Sequence, residues 1–104
     1  MPNIQPVRIE SATPQQKQIL EGIKAKMGKV PNIYATIAHS PATLEAMMGY
    51  NAGLKKGSLS GVETEAIALA VGQKNSCDYC LAAHTVLGKM AGLADAQMIA
   101  ARKG

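Results

Sequence analysis

Residues 60–71 constrain the fold of this chain more than any other segment. They open with Ser60-Gly61-Val62-Glu63, in which a serine and a glutamate have the capping-box spacing that starts an α-helix. The stretch that follows, from Glu65 to Val71, is apolar nearly all round a helix, with Glu65 as its one charge. Helices of this kind are typical of protein interiors. The sequence therefore predicts a central core helix on which the Glu65 carboxylate needs a partner.

Helix-start and helix-stop residues recur along the rest of the chain. Thr13 followed by Pro14 is a favourable N-cap with proline at the first helical position, and Gly28 ends the apolar stripe that follows. Ser76 restarts the chain before a later helix that Gly92 closes. We predict helices over residues 14–27 and 32–37, helices that begin near residues 41 and 60, and helices over residues 77–90 and 95–102. The packing residues expected on the helix from residue 77 are Leu81, Val86, Leu87 and Met90.

Three glycines, Gly49, Gly53 and Gly57, are four residues apart after Pro41. Glycine inside a helix costs about 1 kcal/mol relative to alanine, so the spacing calls for a reason. One interpretation is the close approach of another helix, for example from a second subunit. The other is a helix that frays into a turn at Gly57.

Composition favours an all-α protein that self-associates. The chain has 104 residues, no Trp or Phe and three Tyr, so its core must be built from small aliphatic side chains and Met. We expect an N-terminal arm over residues 1–12 and one helical domain over residues 13–104. A domain of this size buries only about 60% of its unfolded surface, which favours an oligomer.

Charge and segment patterns exclude several functions. The net charge is +4, but Lys and Arg are scattered and few aromatic residues are available to stack on bases, so we expect no nucleic-acid binding. The N-terminal segment lacks the pattern of a secretory signal, and no apolar run approaches the roughly 18 residues of a membrane span. The expected location is therefore the cytoplasm, where a CxxC pair is catalytic, redox-sensing or metal-binding more often than structural.

The only two cysteines form such a pair, and a histidine follows them on the same helix. Cys77, Cys80 and His84 fall within a sector of roughly 60° of an α-helix. With Ser76 as N-cap, both sulfurs would lie in the first turn, where free backbone N–H groups favour a thiolate. If the preceding helix packs beside this one, Glu65 can reach His84 and hold the imidazole in one tautomer.

The run Glu65, eleven residues, Cys77-Asp78-Tyr79-Cys80, three residues, His84 resembles the signature of the alkylhydroperoxidase D-like (AhpD-like) branch of the carboxymuconolactone decarboxylase family. The resemblance covers the chain from about Pro31 onward. It implies an AhpD-like multi-helical fold, with the CxxC at the N-terminus of a core helix, that assembles into trimers or hexamers. The chain departs from the best-known peroxidases of the family at Tyr79, where they carry a second histidine.

What the resemblance implies for function is a thiol-dependent peroxidase that reduces organic hydroperoxides through a dithiol/disulfide cycle. By analogy Cys80 is the peroxidatic sulfur and Cys77 the resolving one, and Glu65 and His84 form the proton relay. Ser76 and Tyr79 are candidate supporting residues beside that site. The family also implies an external dithiol reductant, either a lipoyl adaptor or a thioredoxin-like protein. No cofactor or metal is expected.

Other functions compete with this hypothesis. A decarboxylase of the same family has no need of a cysteine pair, so the CxxC disfavours that chemistry. A redox-sensing or assembly module without turnover would use the same residues. A zinc site could draw on Cys77, Cys80 and His84 with Glu65 or His39, although two-cysteine zinc sites usually have a second ligand pair at similar spacing. His39 otherwise has no reactive neighbour in the sequence and is expected to be structural.

Overall fold

A computed structural model describes residues 2–104 of the chain, and within that range the protein is all-helical, with no strand. Its α-helices are α1 (Pro14–Met27), α2 (Asn32–Ile37), α3 (Pro41–Leu54), α4 (Gly61–Lys74), α5 (Asp78–Ala91) and α6 (Asp95–Lys103). A short 3₁₀ helix, Ile9–Ser11, precedes α1. The all-α prediction is therefore confirmed. No helix of the described residues is long and apolar enough to cross a membrane.

The capping box predicted at the start of α4 is present with both of its hydrogen bonds, and the N-cap predicted at Thr13 is also part of a complete capping box. At α1, the hydroxyl of Thr13 accepts from the Gln16 N–H at 3.2 Å, and the Gln16 side chain accepts from the Thr13 N–H at 3.0 Å. At α4, Ser60 and Glu63 make the equivalent pair at 3.1 and 3.0 Å. Because these bonds satisfy N–H groups that a helix leaves without partners, local sequence fixes where both helices begin.

The chain divides into two compact units, of which the first ends at Leu54. Its core is built from four buried side chains on α1, α3 and the end of α2: Leu20, Ile23, Ala38 and Leu44. The N–H of Val7 donates to the carbonyl of Ala35 at 3.0 Å, which holds the N-terminal segment against this unit. Gly57 lies beyond the end of α3, so the three spaced glycines do not share one helix. A Cβ added at Gly49 or Gly53 would meet nothing within 4 Å, so neither glycine permits a close helix contact within the chain.

The second unit begins at Lys55 and packs α4 against both α5 and α6. Its buried core contains Leu69, Leu93 and Met98. The expectation that α4 is enclosed on all sides is wrong for a single chain, because Ile67 and Val71 are 49% and 52% exposed. Three of the packing residues predicted on α5 are also exposed, at 60%, 36% and 79%: Val86, Leu87 and Met90. Both segments are helices, as predicted, but each helix also has apolar side chains that remain exposed within the chain.

Candidate active site

The link between α4 and α5 is a Schellman motif that ends on the first cysteine. The N–H of Cys77 donates to the carbonyl of Gly72 at 2.9 Å, and the N–H of Ser76 donates to the carbonyl of Gln73 at 3.1 Å. The backbone of Ser76 has the left-handed conformation, with φ 51°, at the position of this motif that glycine usually occupies. The prediction that Ser76 is the N-cap of α5 is therefore wrong. Ser76 completes the end of α4, and Cys77 is the N-cap of α5.

Cys77 and Cys80 lie at the start of α5 and are joined as a disulfide, with their Cα atoms 5.3 Å apart. The Sγ of Cys77 accepts a hydrogen bond from the backbone N–H of Cys80 at 3.2 Å, so the sulfur itself caps the helix. Both residues are half-buried.

Glu65 of α4 and His84 of α5 form a direct hydrogen bond. The Nδ1 of His84 lies 2.6 Å from the Oε2 of Glu65, and the two side chains are 33% and 17% exposed, respectively. Because an ionised carboxylate can only accept, the Nδ1–H of the imidazole donates to it, and in a neutral imidazole the lone pair then lies on Nε2. The contact expected from the sequence is therefore present. His84 also follows Cys80 by one helical turn, so that the imidazole and this sulfur are carried on the same side of α5.

Gly72 brings α4 unusually close to the cysteine pair. A Cβ built on Gly72 would lie 3.2 Å from the Cβ of Cys80, and 3.5 Å from the nearest side-chain atom of Leu81. Gly72 is buried, so this close approach lies in the interior of the second unit. Sequence reasoning missed this residue. The only signal in the sequence was a glycine near the end of an apolar helix. Glycine is common at helix ends for reasons unrelated to a functional site, so this signal was not specific.

Comparison with known proteins places these residues in a family. The model of the carboxymuconolactone decarboxylase family matches residues 41–103, which is more than half of the chain and includes all of α4 and α5. The chain belongs to that family. It is also similar to the crystal structure of the alkylhydroperoxidase AhpD core from Rhodospirillum rubrum, with a TM-score of 0.80 and 29% sequence identity over 97% of this chain and 79% of that chain. The AhpD-like resemblance is thereby confirmed. A search of curated proteins found no match.

Tyr79 and His39 lie in different surroundings from the residues above. Tyr79, which stands between the two cysteines, is 46% exposed at the start of α5. His39 lies in the first unit of the chain, where its Nε2 is 2.8 Å from the carbonyl oxygen of Gln5. A carbonyl only accepts, so Nε2–H is the donor and His39 ties down the N-terminal segment. Within residues 2–104, no group of three or more His, Cys, Asp and Glu side chains could hold a metal ion.

Proposed function

We propose that this chain is a thiol-dependent peroxidase that reduces organic hydroperoxides through the Cys77/Cys80 pair. The observation that carries the proposal is the 2.6 Å hydrogen bond between Glu65 and His84, on the helix that begins with the cysteine pair. A disulfide that served only to stabilise the first turn of α5 would not need an oriented imidazole one turn away. The AhpD-like fold supports the same chemistry.

The proposed reaction begins with loss of a proton from the attacking thiol to Nε2 of His84, which Glu65 holds in the required tautomer. The thiolate then attacks the terminal oxygen of ROOH. A sulfur–oxygen bond forms, the oxygen–oxygen bond breaks, and the alkoxide takes up the proton and leaves as ROH. The product on the protein is a sulfenic acid. The second thiol attacks the sulfenic sulfur, forms the disulfide and releases water, so the two electrons that reduce the peroxide come from the dithiol.

The attacking sulfur in this proposal is that of Cys80. His84 lies one turn further along α5, at the spacing that brings side chains together on a helix face. Cys77 is then the resolving residue. Its Sγ accepts the N–H of Cys80 at 3.2 Å, so it is already held beside the sulfur with which it must condense. An external dithiol closes the cycle by thiol exchange. By analogy with the family, this reductant is a lipoyl adaptor or a thioredoxin-like protein in a reducing compartment such as the cytoplasm.

Self-association is part of the proposal. Val86 and Met90 are 60% and 79% exposed on α5, and Ile67 and Val71 are about half exposed on α4. A second copy of the chain would remove these apolar side chains from water, at a gain of about 25 cal/mol per Å². The family analogy predicts that the assembly is a trimer or a hexamer.

Thiol titration tests the proposed chemistry. The fully reduced chain is treated with one equivalent of tert-butyl hydroperoxide, and its thiols are counted before and after. We expect the wild type to lose both thiols, and Cys77→Ser to trap a sulfenic acid on Cys80 that a dimedone-type reagent labels. Cys80→Ser is the matched control and should react far more slowly. A sulfenic acid on Cys77 in that variant would reverse the two roles, and thiols that survive the peroxide in the wild type would refute the proposal.

Turnover separates an enzyme from a sensor. With dithiothreitol in excess, an enzyme consumes many equivalents of hydroperoxide, whereas a redox-sensing module that lacks an efficient reductant consumes one. We expect peroxide consumption to continue until the dithiol is exhausted. A single round of oxidation, with the disulfide persisting in the presence of the donor, would favour the sensing function instead.

A further inference from the structure

We propose that Gly72 is a positioning residue for the redox pair, and that its lack of a side chain sets the equilibrium between the dithiol and the disulfide. The inference rests on the proposed function only in taking Cys77 and Cys80 to be redox-active. Gly72 has no side chain that could take part in the chemistry. It acts through the backbone of one cysteine and the Cβ of the other.

Both cysteines are held by contacts with this one residue. The carbonyl of Gly72 accepts the N–H of Cys77 at 2.9 Å, which fixes where the chain leaves α4. Cys80 borders the space that a Gly72 side chain would fill, because its Cβ lies 3.2 Å from the ideal Cβ position of residue 72. A contact of this length is tighter than ordinary van der Waals packing, so either Cys80 or α4 would have to move by a few tenths of an ångström to admit a methyl group.

The two redox forms differ in how easily that movement can occur. In the disulfide, Cys80 is bonded to Cys77, and Cys77 is itself tied to the Gly72 carbonyl, so the added methyl group presses on a closed loop. In the dithiol, the bond between the sulfurs is absent and the first turn of α5 can shift. A methyl group on Gly72 therefore destabilises the disulfide more than the dithiol. The gain in helix propensity on changing Gly to Ala is the same in both forms and cancels from the equilibrium.

Gly88 provides a matched control from the same unit. It is buried and stands at the end of α5 as Gly72 stands at the end of α4, because its carbonyl accepts the N–H of Leu93 at 2.8 Å across the left-handed Gly92. A Cβ on Gly88 would meet the Sδ of Met98 at 3.1 Å and the Cδ1 of Leu93 at 3.2 Å. The nearest contacts are of similar length to those at Gly72, but they are with the ends of flexible side chains and with no cysteine.

The experiment measures the exchange of the full chain with glutathione, in which the disulfide and two glutathione thiols give the dithiol and one glutathione disulfide. Wild type, Gly72→Ala and Gly88→Ala are equilibrated at a series of ratios of the two glutathione forms, and the thiols are then trapped by alkylation. We expect Gly72→Ala to shift the equilibrium constant toward the dithiol by about fivefold or more, as mild overpacking would. Gly88→Ala should stay within about twofold of the wild type. Equal shifts in both variants, or no shift in Gly72→Ala, would overturn the proposal.

Denaturant unfolding of each variant in the oxidised and the reduced form gives a second measurement of the same quantity. The disulfide should stabilise Gly72→Ala less than it stabilises the wild type, and a variant that folds only when reduced would be the extreme case. If Gly72→Ala folds neither when oxidised nor when reduced, a role of Gly72 that is specific to the redox pair is refuted. Since no hydroperoxide is used, these results do not depend on whether the chain is a peroxidase. A chain without peroxidase activity could still show the Gly72 effect, and an active peroxidase could lack it.

Discussion

Replacing Glu65 by Gln is the most direct test of the proposed proton relay. The amide has the size and shape of the carboxylate, so packing between α4 and α5 should be retained. What is lost is the negative charge of the carboxylate, whose Oε2 lies 2.6 Å from the Nδ1 of His84. Glutamine can present either its oxygen or its NH₂ group to the imidazole, so the tautomer with a lone pair on Nε2 is no longer enforced.

The size of the effect follows from the kind of hydrogen bond and its exposure. A hydrogen bond to a charged group contributes about 1.5–3 kcal/mol. The Glu65 and His84 side chains are 17% and 33% exposed, so water competes for both and the lower part of that range applies. If about 1.5–2 kcal/mol is lost at the proton-transfer step, disulfide formation slows by about 10- to 30-fold.

The assay is the rate at which the reduced chain forms its disulfide with excess tert-butyl hydroperoxide at pH 7, followed by rapid alkylation of the remaining thiols. Chemical trapping is needed because the chain contains no Trp whose fluorescence could report the change. The matched control is Glu63→Gln, which makes the same chemical change on the same helix. Glu63 pairs with Ser60 and not with His84, so this control should react at nearly the wild-type rate.

Raising the pH distinguishes a lost proton relay from general damage. Well above the pKa of about 8.5 of a free thiol, the attacking sulfur ionises without help from a base. The defect of Glu65→Gln should therefore shrink as the pH rises toward 9.5. A rate for Glu65→Gln within twofold of the wild type at pH 7 would refute the relay. A defect that is the same at both pH values would indicate that Glu65 supports the structure and not the proton transfer.

Three further outcomes are expected. Ser76→Gly should raise the free energy of unfolding by about 0.5–1 kcal/mol in denaturant titrations, because glycine adopts the left-handed conformation without strain but is freer in the unfolded chain; a loss of stability would contradict this account of the turn. The hydrogen bond from the backbone N–H of Ser60, and then that from its hydroxyl, lower the pKa of Glu63 from its usual 4.5. The ionised Glu63 therefore stabilises the folded state above pH 4.5, and this stabilisation is lost as the pH falls through the lower pKa of the folded state. Replacing Glu63 by Gln should make the free energy of unfolding less dependent on pH on the acid side. Introducing a charge with Val86→Glu or Met90→Glu should reduce the molar mass measured by light scattering if α5 is a subunit contact, and an unchanged mass would exclude that face.

The helix boundaries could be predicted wherever local chemistry decides them. Thr13 and Ser60 start helices through bonds that involve only their own neighbours, and Gly28 and Gly92 end helices because they adopt φ 79° and 108° without strain. The N-cap prediction at Ser76 was wrong because two local hydrogen-bonding patterns compete at this position. Serine favours an N-cap, but here the bonds from Ser76 to Gln73 and from Cys77 to Gly72 close the end of α4, and Ser76 has φ 51°. The residue type alone does not show which of the two patterns forms.

The exposed apolar residues could not be predicted from the sequence. Periodicity showed that Ile67, Val71, Val86 and Met90 lie on helices and avoid polar faces. It does not show what covers them, because the same pattern describes a helix in the core of one chain and a helix between two chains. The contact between Glu65 and His84 was predictable for the opposite reason. A lone charge on an apolar helix needs a partner, and few polar residues lie within reach.

Three hydrogen bonds, of which two involve a backbone N–H and one joins two side chains, hold the candidate site together. The Cys77 N–H is bonded to Gly72, the Cys80 N–H is bonded to the Cys77 sulfur, and Glu65 on α4 is bonded to His84 on α5. Each bond ties α5 to α4 or ties one cysteine to the other, so a shift of one helix along the other would disturb the sulfurs and the imidazole together. Packing between these two helices therefore controls both halves of the proposed chemistry. A substitution at their contact that leaves all four candidate site residues unchanged should still alter the redox equilibrium, and Gly72, which lies against Cys80, is the position to test.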